Sequence, residues 1–116
     1  MTNAAAKKFL VLYLVPGEVM VDWGKTDEVT RKAAEVKMKD EWDRWMGEHA
    51  KLLTLTEAGG KTKAVTANGI ADTRNDIMLY SIVHAESHEA AAKAFAKHPH
   101  LTIPKSSIQV MEVRSL

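Results

Sequence analysis

The sequence predicts an α+β fold: one antiparallel sheet of four strands with two helices, in the order strand, helix, strand, strand, helix, strand. Three observations predict it. Two short runs, Lys8 to Val15 and Ile77 to His84, are apolar on both parities, as strands covered on both faces are. Two stretches, one from Asp27 onward and one from Glu89 to Lys97, repeat their apolar residues at three- and four-residue steps, which is the spacing of amphipathic helices. Two further runs, Lys61 to Ala67 and Ile108 to Val113, mix apolar with polar residues as edge strands do.

One domain is expected over residues 8 to 116, with residues 1 to 7 as a flexible lead. Strand 1, Lys8 to Val15, stops at Pro16-Gly17, and Glu18 to Lys25 reads as a connection that lies against something, given Val19, Met20, Val21 and Trp23. Thr26 or Asp27 suits the N-cap of the first helix, with Asp27 and Glu28 at the positive end of its dipole. Met38, Trp42, Trp45, Met46, His49, Leu52 and Leu53 then share a face; Gly47 divides a main helix from a shorter one, and Gly59-Gly60 supplies the stop. Strand 2 is Lys61 to Ala67, followed by a turn at Asn68-Gly69 that Asp72 to Asp76 extends into a long hairpin loop. Strand 3 is Ile77 to His84. Ser87 is a good N-cap for the second helix, on which Ala91, Ala94, Phe95 and His98 share a face before Pro99 ends it. A loop from Leu101 to Ser107 leads to strand 4, Ile108 to Val113.

The right-handed crossover rule puts both helices on one face and gives the strand order 4-1-3-2, with the doubly apolar strands central and the polar ones at the edges. The other face then carries half of strands 1 and 3, an apolar patch at the upper limit of what monomers expose. A second copy stacked sheet to sheet is the commonest cover for such a face. Burying ~400 Å2 on each of two chains is worth about 20 kcal/mol before association costs, more than a typical domain's whole stability of ~5–15 kcal/mol.

Composition narrows the function classes. With 16 basic residues against 15 acidic ones spread along the chain, there is no electrostatic footprint for nucleic acid or an anionic membrane. The absence of cysteine removes disulfides, a thiolate nucleophile and cysteine-ligated metal, and suits a reducing compartment, so a cytoplasmic location is expected. The apolar run Phe9 to Val15 after Lys7-Lys8 is far shorter than the ~20 residues that span a bilayer. No Walker loop, dinucleotide fingerprint, nucleophile elbow or zincin helix is present, and no cofactor is expected.

From Lys8 to Val113 the sequence resembles the YCII-related, or DGPF-domain, proteins. The likeness is carried by Lys8-Phe9-Leu10-Val11-Leu12-Tyr13, the helix with Trp42 and Trp45, Val65-Thr66-Ala67-Asn68-Gly69, and the run Tyr80 to Ser87. His98-Pro99-His100-Leu101 and Ile108 to Val113 complete it. The resemblance implies a ferredoxin-like βαββαβ sandwich assembled as a homodimeric α+β barrel. Where the family's name motif would lie, this chain has Asp72-Thr73-Arg74-Asn75, matching only at the aspartate. Some members have a proposed catalytic His-Asp pair with its histidine after the first strand; Pro16 to Thr26 holds none, so that pair does not carry over.

Chemistry is best sought at His98-Pro99-His100, two imidazoles flanking a rigid residue at a helix end. His100 is the first candidate for general acid/base work, with Asp72 as an acidic partner; the alternative is a capping histidine and a loop histidine. The pair supplies two metal ligands where zinc needs three or four, so no metal site is expected. Trp42 and Trp45, with His49 one turn on, are either core or the aromatic wall of a ligand pocket. Tyr13, Tyr80 and Ser81 on the central strands are candidates to line the space between sheet and helices, whereas His84 reads as structural and His88 as solvated. Two readings follow: a cofactor-independent enzyme using acid/base chemistry on a small molecule in a cleft between sheet and helices, or a non-catalytic small-ligand-binding or assembly module.

Overall fold

The strand that runs apolar on both parities is the one around which the chain is built. In the computed structural model, which describes residues 6–116, it is β1 (Lys7–Leu14), paired antiparallel on one side to β5 (Ile77–Ala85) and on the other to β6 (Ser107–Glu112). β2 (Leu53–Ala58) adds to the outer side of β5, so the sheet runs β2-β5-β1-β6. The lead expected over residues 1 to 7 falls mostly outside the described residues, and Lys7 already belongs to β1.

The expected second strand, Lys61 to Ala67, is not part of this sheet. Residues Thr62–Thr66 form β3, which pairs only with β4 (Gly69–Thr73) in a separate two-stranded hairpin. Gly69 takes a φ of 131° at its turn, a conformation a side chain would strain. The edge position beside β5 goes to Leu53–Ala58, a segment whose Leu-Thr-Leu-Thr alternation has the period of a strand. Leu52 and Leu53 also continue the helical spacing from Trp45 and His49, and pairing with β5 decides between the two periods. The expected order 4-1-3-2, drawn with residues 61 to 67 at the edge, is corrected accordingly. The polar run expected as a loop likewise supplies β4 as far as Thr73.

Among the described residues there are three α-helices. α1 (Gly17–Lys25) occupies the segment read as a connection and has no buried residue. α2 (Glu28–Glu48) starts at Asp27, whose carboxylate accepts from the Thr30 N–H at 2.9 Å, and runs unbroken through Gly47. α3 (His88–Ala94) is shorter than expected and is capped by Ser87, whose Oγ accepts from the Ala90 N–H at 3.1 Å. A 3-10 turn over Pro99–Thr102 replaces the start of the expected loop.

α3 and the C-terminal half of α2 cover one face of the sheet. Phe9, Val11 and Tyr13 of β1 and Val83 of β5 are buried there with Trp45, Ala91 and Phe95. On the opposite face Leu10, Leu12, Leu14, Tyr80 and Ile82 are only half-buried, and Leu55 and Met111 are exposed. Further apolar side chains stand out from the body: Val29 and Val36 on the N-terminal half of α2, and the directly paired Val65 and Ile70 on the hairpin. The radius of gyration is 16.5 Å, where a compact chain of this length has about 13 Å. The accessible surface is 8427 Å2, against about 6,300 Å2 for a monomer of this mass.

Removing the Ser87 cap should be felt throughout, because α3 carries Ala91 into the core. Ser87→Ala is expected to cost about 1 kcal/mol, read as a lower urea midpoint at unchanged slope.

Candidate functional site

Alternation along β1 turns Tyr13 inward, beneath α2 and the 3-10 turn, and the aromatic residues singled out from the sequence gather round it. Its ring centroid lies 5.3 Å from those of Trp42 and His98 and 5.6 Å from that of His100. The His98 ring stands nearly perpendicular to Trp42 at 4.3 Å and is tilted against Trp45 at 4.4 Å. Trp45 stacks on His49 at 4.1 Å, and the His49 Nδ1–H donates to the Trp45 carbonyl at 2.8 Å, closing the last turn of α2. Behind Tyr13, its hydroxyl bonds Ser81 Oγ at 2.8 Å, and Ser81 Oγ bonds Thr56 Oγ1 at 2.7 Å. Burial raises the Tyr13 phenol above its ordinary value against the opposing Ser81 bond, so it stays protonated.

Pro99 fixes the path between the two histidines, and each imidazole is tied to the backbone. His98 Nδ1 accepts from the His100 N–H at 2.9 Å, which caps the 3-10 turn and leaves the ring proton on Nε2. His100 Nε2–H donates to the Leu14 carbonyl at 3.0 Å, and Ser106 Oγ donates to the His100 carbonyl at 2.9 Å. Both residues are 1% exposed. Among the described residues, His98 Nε2 and His100 Nδ1 have no hydrogen-bond partner; perpendicular packing on the Trp42 indole gives the His98 ring an aromatic face instead.

Burial dominates the titration of both rings. It pushes His98 down to about 3, helped by the positive charges that His100 and His49 would carry. It lowers His100 as well, against carbonyls of Leu14 and Ser107 that favour the charged form. Both imidazoles are therefore neutral at pH 7.

Two shallow clefts lie nearby. One, about 210 Å3, is bounded by Trp45, Glu41, Arg44, Glu48, Lys97, Pro99 and Thr102. The other, about 250 Å3, is an apolar groove between α3 and β6 lined by Phe95, Leu101, Ile108 and Val110. Among the described residues, no three His, Cys, Asp or Glu side chains converge as a metal cage would require.

The structure thus brings Tyr13, Trp42, Trp45, His49, Ser81, His98 and His100 into one cluster, and leaves two candidates outside. Asp72 sits on the hairpin, exposed, with Lys63 Nζ at 2.6 Å, and forms no bond to His100. Tyr80 lies on the opposite sheet face, where its hydroxyl donates to Glu57 and that bond raises the phenol above its ordinary value. The neighbouring Arg74 packs on the first residue of α1: a Cβ at Gly17 would lie 3.3 Å from its Nη2. Asn75 Oδ1 accepts from the Ile77 N–H at 2.9 Å. His88, read as solvated, stacks on Phe9 at 5.3 Å and bonds the Val110 carbonyl at 2.7 Å. Thr56 and Glu57 were hidden because their segment reads as the end of a helix, although the Leu-Thr alternation around them was the signal for a strand. No family model and no curated protein matches the chain.

A histidine whose folded pKa is depressed stabilises nothing extra while neutral and destabilises the fold once the unfolded chain can bind the proton. Stability is thus retained above pH ~6.5 and lost as pH falls toward 3, by roughly 3 kcal/mol at pH 4 from His98 alone. His98→Asn keeps an acceptor for the His100 N–H without the ring. It should lower stability at pH 7 and flatten the decline between pH 6.5 and 4, as measured by urea unfolding across that range.

Proposed function

We propose that the protein works as a homodimeric, non-catalytic ligand-binding or assembly module, its two copies stacked through their open sheet faces. The observation that carries this reading is the uncovered apolar face made by Leu10, Leu12, Leu14, Leu55, Tyr80, Ile82 and Met111 on the sheet. Contiguous apolar faces rimmed by polar residues are ordinarily sites of association. A stable dimer buries about 800 Å2 on each partner, well within the surplus of roughly 2,000 Å2 that this chain has over a compact monomer. The ferredoxin-like dimeric α+β barrel implied by the resemblance to YCII-related proteins would cover the same face.

The enzyme reading retains one supporting observation: His98 and His100 each hold a ring nitrogen with no hydrogen-bond partner, beside the hydroxyl chain of Tyr13, Ser81 and Thr56. Against it, each imidazole is closed off from solvent, and the paired carboxylate of Asp72 is bound to Lys63. A proton-transfer role needs a lone pair that a substrate can reach.

Leu12 lies near the middle of the open face, between Tyr80 and Gln109. The wild type should sediment as a dimer at micromolar concentration, and Leu12→Lys as a folded monomer, since stacking would bury an unpaired ammonium. A wild-type monomer would refute the module as proposed. If the enzyme reading holds instead, His100→Gln should remove turnover in a metabolite screen while circular dichroism stays unchanged; retained turnover excludes His100 from the chemistry.

A further inference from the structure

The strand register fixes which charged side chains share the open face with its apolar centre. Leu10 stands opposite Ile82 and Met111, Leu12 opposite Tyr80 and Gln109, while Leu55 lies beside Ile82 and Glu57 beside Tyr80. One row further along, Lys8 stands opposite His84. These paired positions hold one lysine and one glutamate, both exposed and neither in an ion pair among the described residues. Tyr80 donates to Oε1 of Glu57, which fixes the carboxylate and leaves its second oxygen free to accept. His84 is held separately, its Nδ1 2.9 Å from Thr54 Oγ1.

Resting on the sheet stack proposed above, we infer that the second copy seats in one particular register, with Lys8 of each protomer against the partner's Glu57. Strands lie ~4.8 Å apart with ~3.4 Å per residue, so Lys8 on β1 and Glu57 on β2, two strands and two rows apart, are separated by about 17 Å. The position midway between them is Ile82 on β5. Face-to-face pairing of identical surfaces turns the face onto itself about a twofold axis lying in the interface. The axis that carries Lys8 onto the partner's Glu57 passes over Ile82 and carries Glu57 onto the partner's Lys8 in the same operation. It also brings Leu10 toward the partner's Tyr80 and crosses the strands of the two sheets at roughly 70°, near the orthogonal class of sheet packing. A register that set Lys8 or Glu57 against apolar side chains would bury an uncompensated charge, at a cost of several kcal/mol per ion.

Reversing each charge separately and then mixing the products tests this register. Lys8→Glu and Glu57→Lys should each weaken the dimer at least about tenfold in a sedimentation dilution series, because the symmetry creates every clash twice. An equimolar mixture of the two variants should recover an affinity within about threefold of wild type, since the heterodimer restores both pairs, and Lys8→Glu/Glu57→Lys in one chain should do the same. A dimeric wild type whose mixed variants associate no more tightly than either alone would overturn the register and leave the stack standing. A monomeric wild type would overturn both. Should either reversal fail to fold, Lys8→Met and Glu57→Gln supply the double-mutant cycle. Non-additivity of about fivefold or more supports the pairing, and anything smaller overturns it.

Discussion

β1 has no polar side, and that constraint organises the rest of the molecule. Phe9, Val11, Tyr13 and Val15 require cover on one face, while Leu10, Leu12 and Leu14 require it on the other. The chain meets the first demand with its own helices, through Ala91 and Phe95 from the α3 region and Trp45 from α2. On the second, the neighbouring strands set Ile82, Tyr80 and Met111 beside the β1 leucines, with His84 and Gln109 among them. α1 buries no residue and α2 buries only Trp45, so little of the helical chain serves as cover for the sheet.

The inner face carries an unusual polar load for its size. Two imidazoles, a phenol and a serine hydroxyl are buried within it. Tyr13 and Ser81 satisfy each other, whereas each histidine satisfies one ring nitrogen at the backbone and leaves the other unbonded among the described residues. Neutral imidazole tolerates that arrangement better than imidazolium, which is why burial lowers both rings and takes His98 to about 3. The same enclosure leaves both imidazoles almost without solvent contact in the single chain. The motif that looked most chemical along the sequence is, in the single chain, a capping device packed under tryptophan.

The periphery follows a different logic. α1, the N-terminal half of α2 and the hairpin expose several valines and an isoleucine, and their ion pairs are surface pairs such as Lys32–Glu28 and Lys63–Asp72. Exposed pairs of this type contribute little stability.

Patterning that is local, or that depends only on which side chains dislike water, was legible in the sequence. The doubly apolar β1 and β5, the caps at Asp27 and Ser87, and the burial of Trp45 all follow from it. The tertiary structure alone decided the placement of segments whose local signals conflict. Leu53–Ala58 fits both a helix face and an alternating strand, and only the free edge of β5 makes the strand the better partner for its backbone. Once it holds that edge, Thr62–Thr66 is left to pair with the following residues as a separate hairpin, carrying Asp72 away from His100. Which face Tyr80 occupies, and hence its bond to Glu57, likewise depends on a register set by neighbouring strands, because hydrogen-bond pairing between distant segments is not written in the composition of either one.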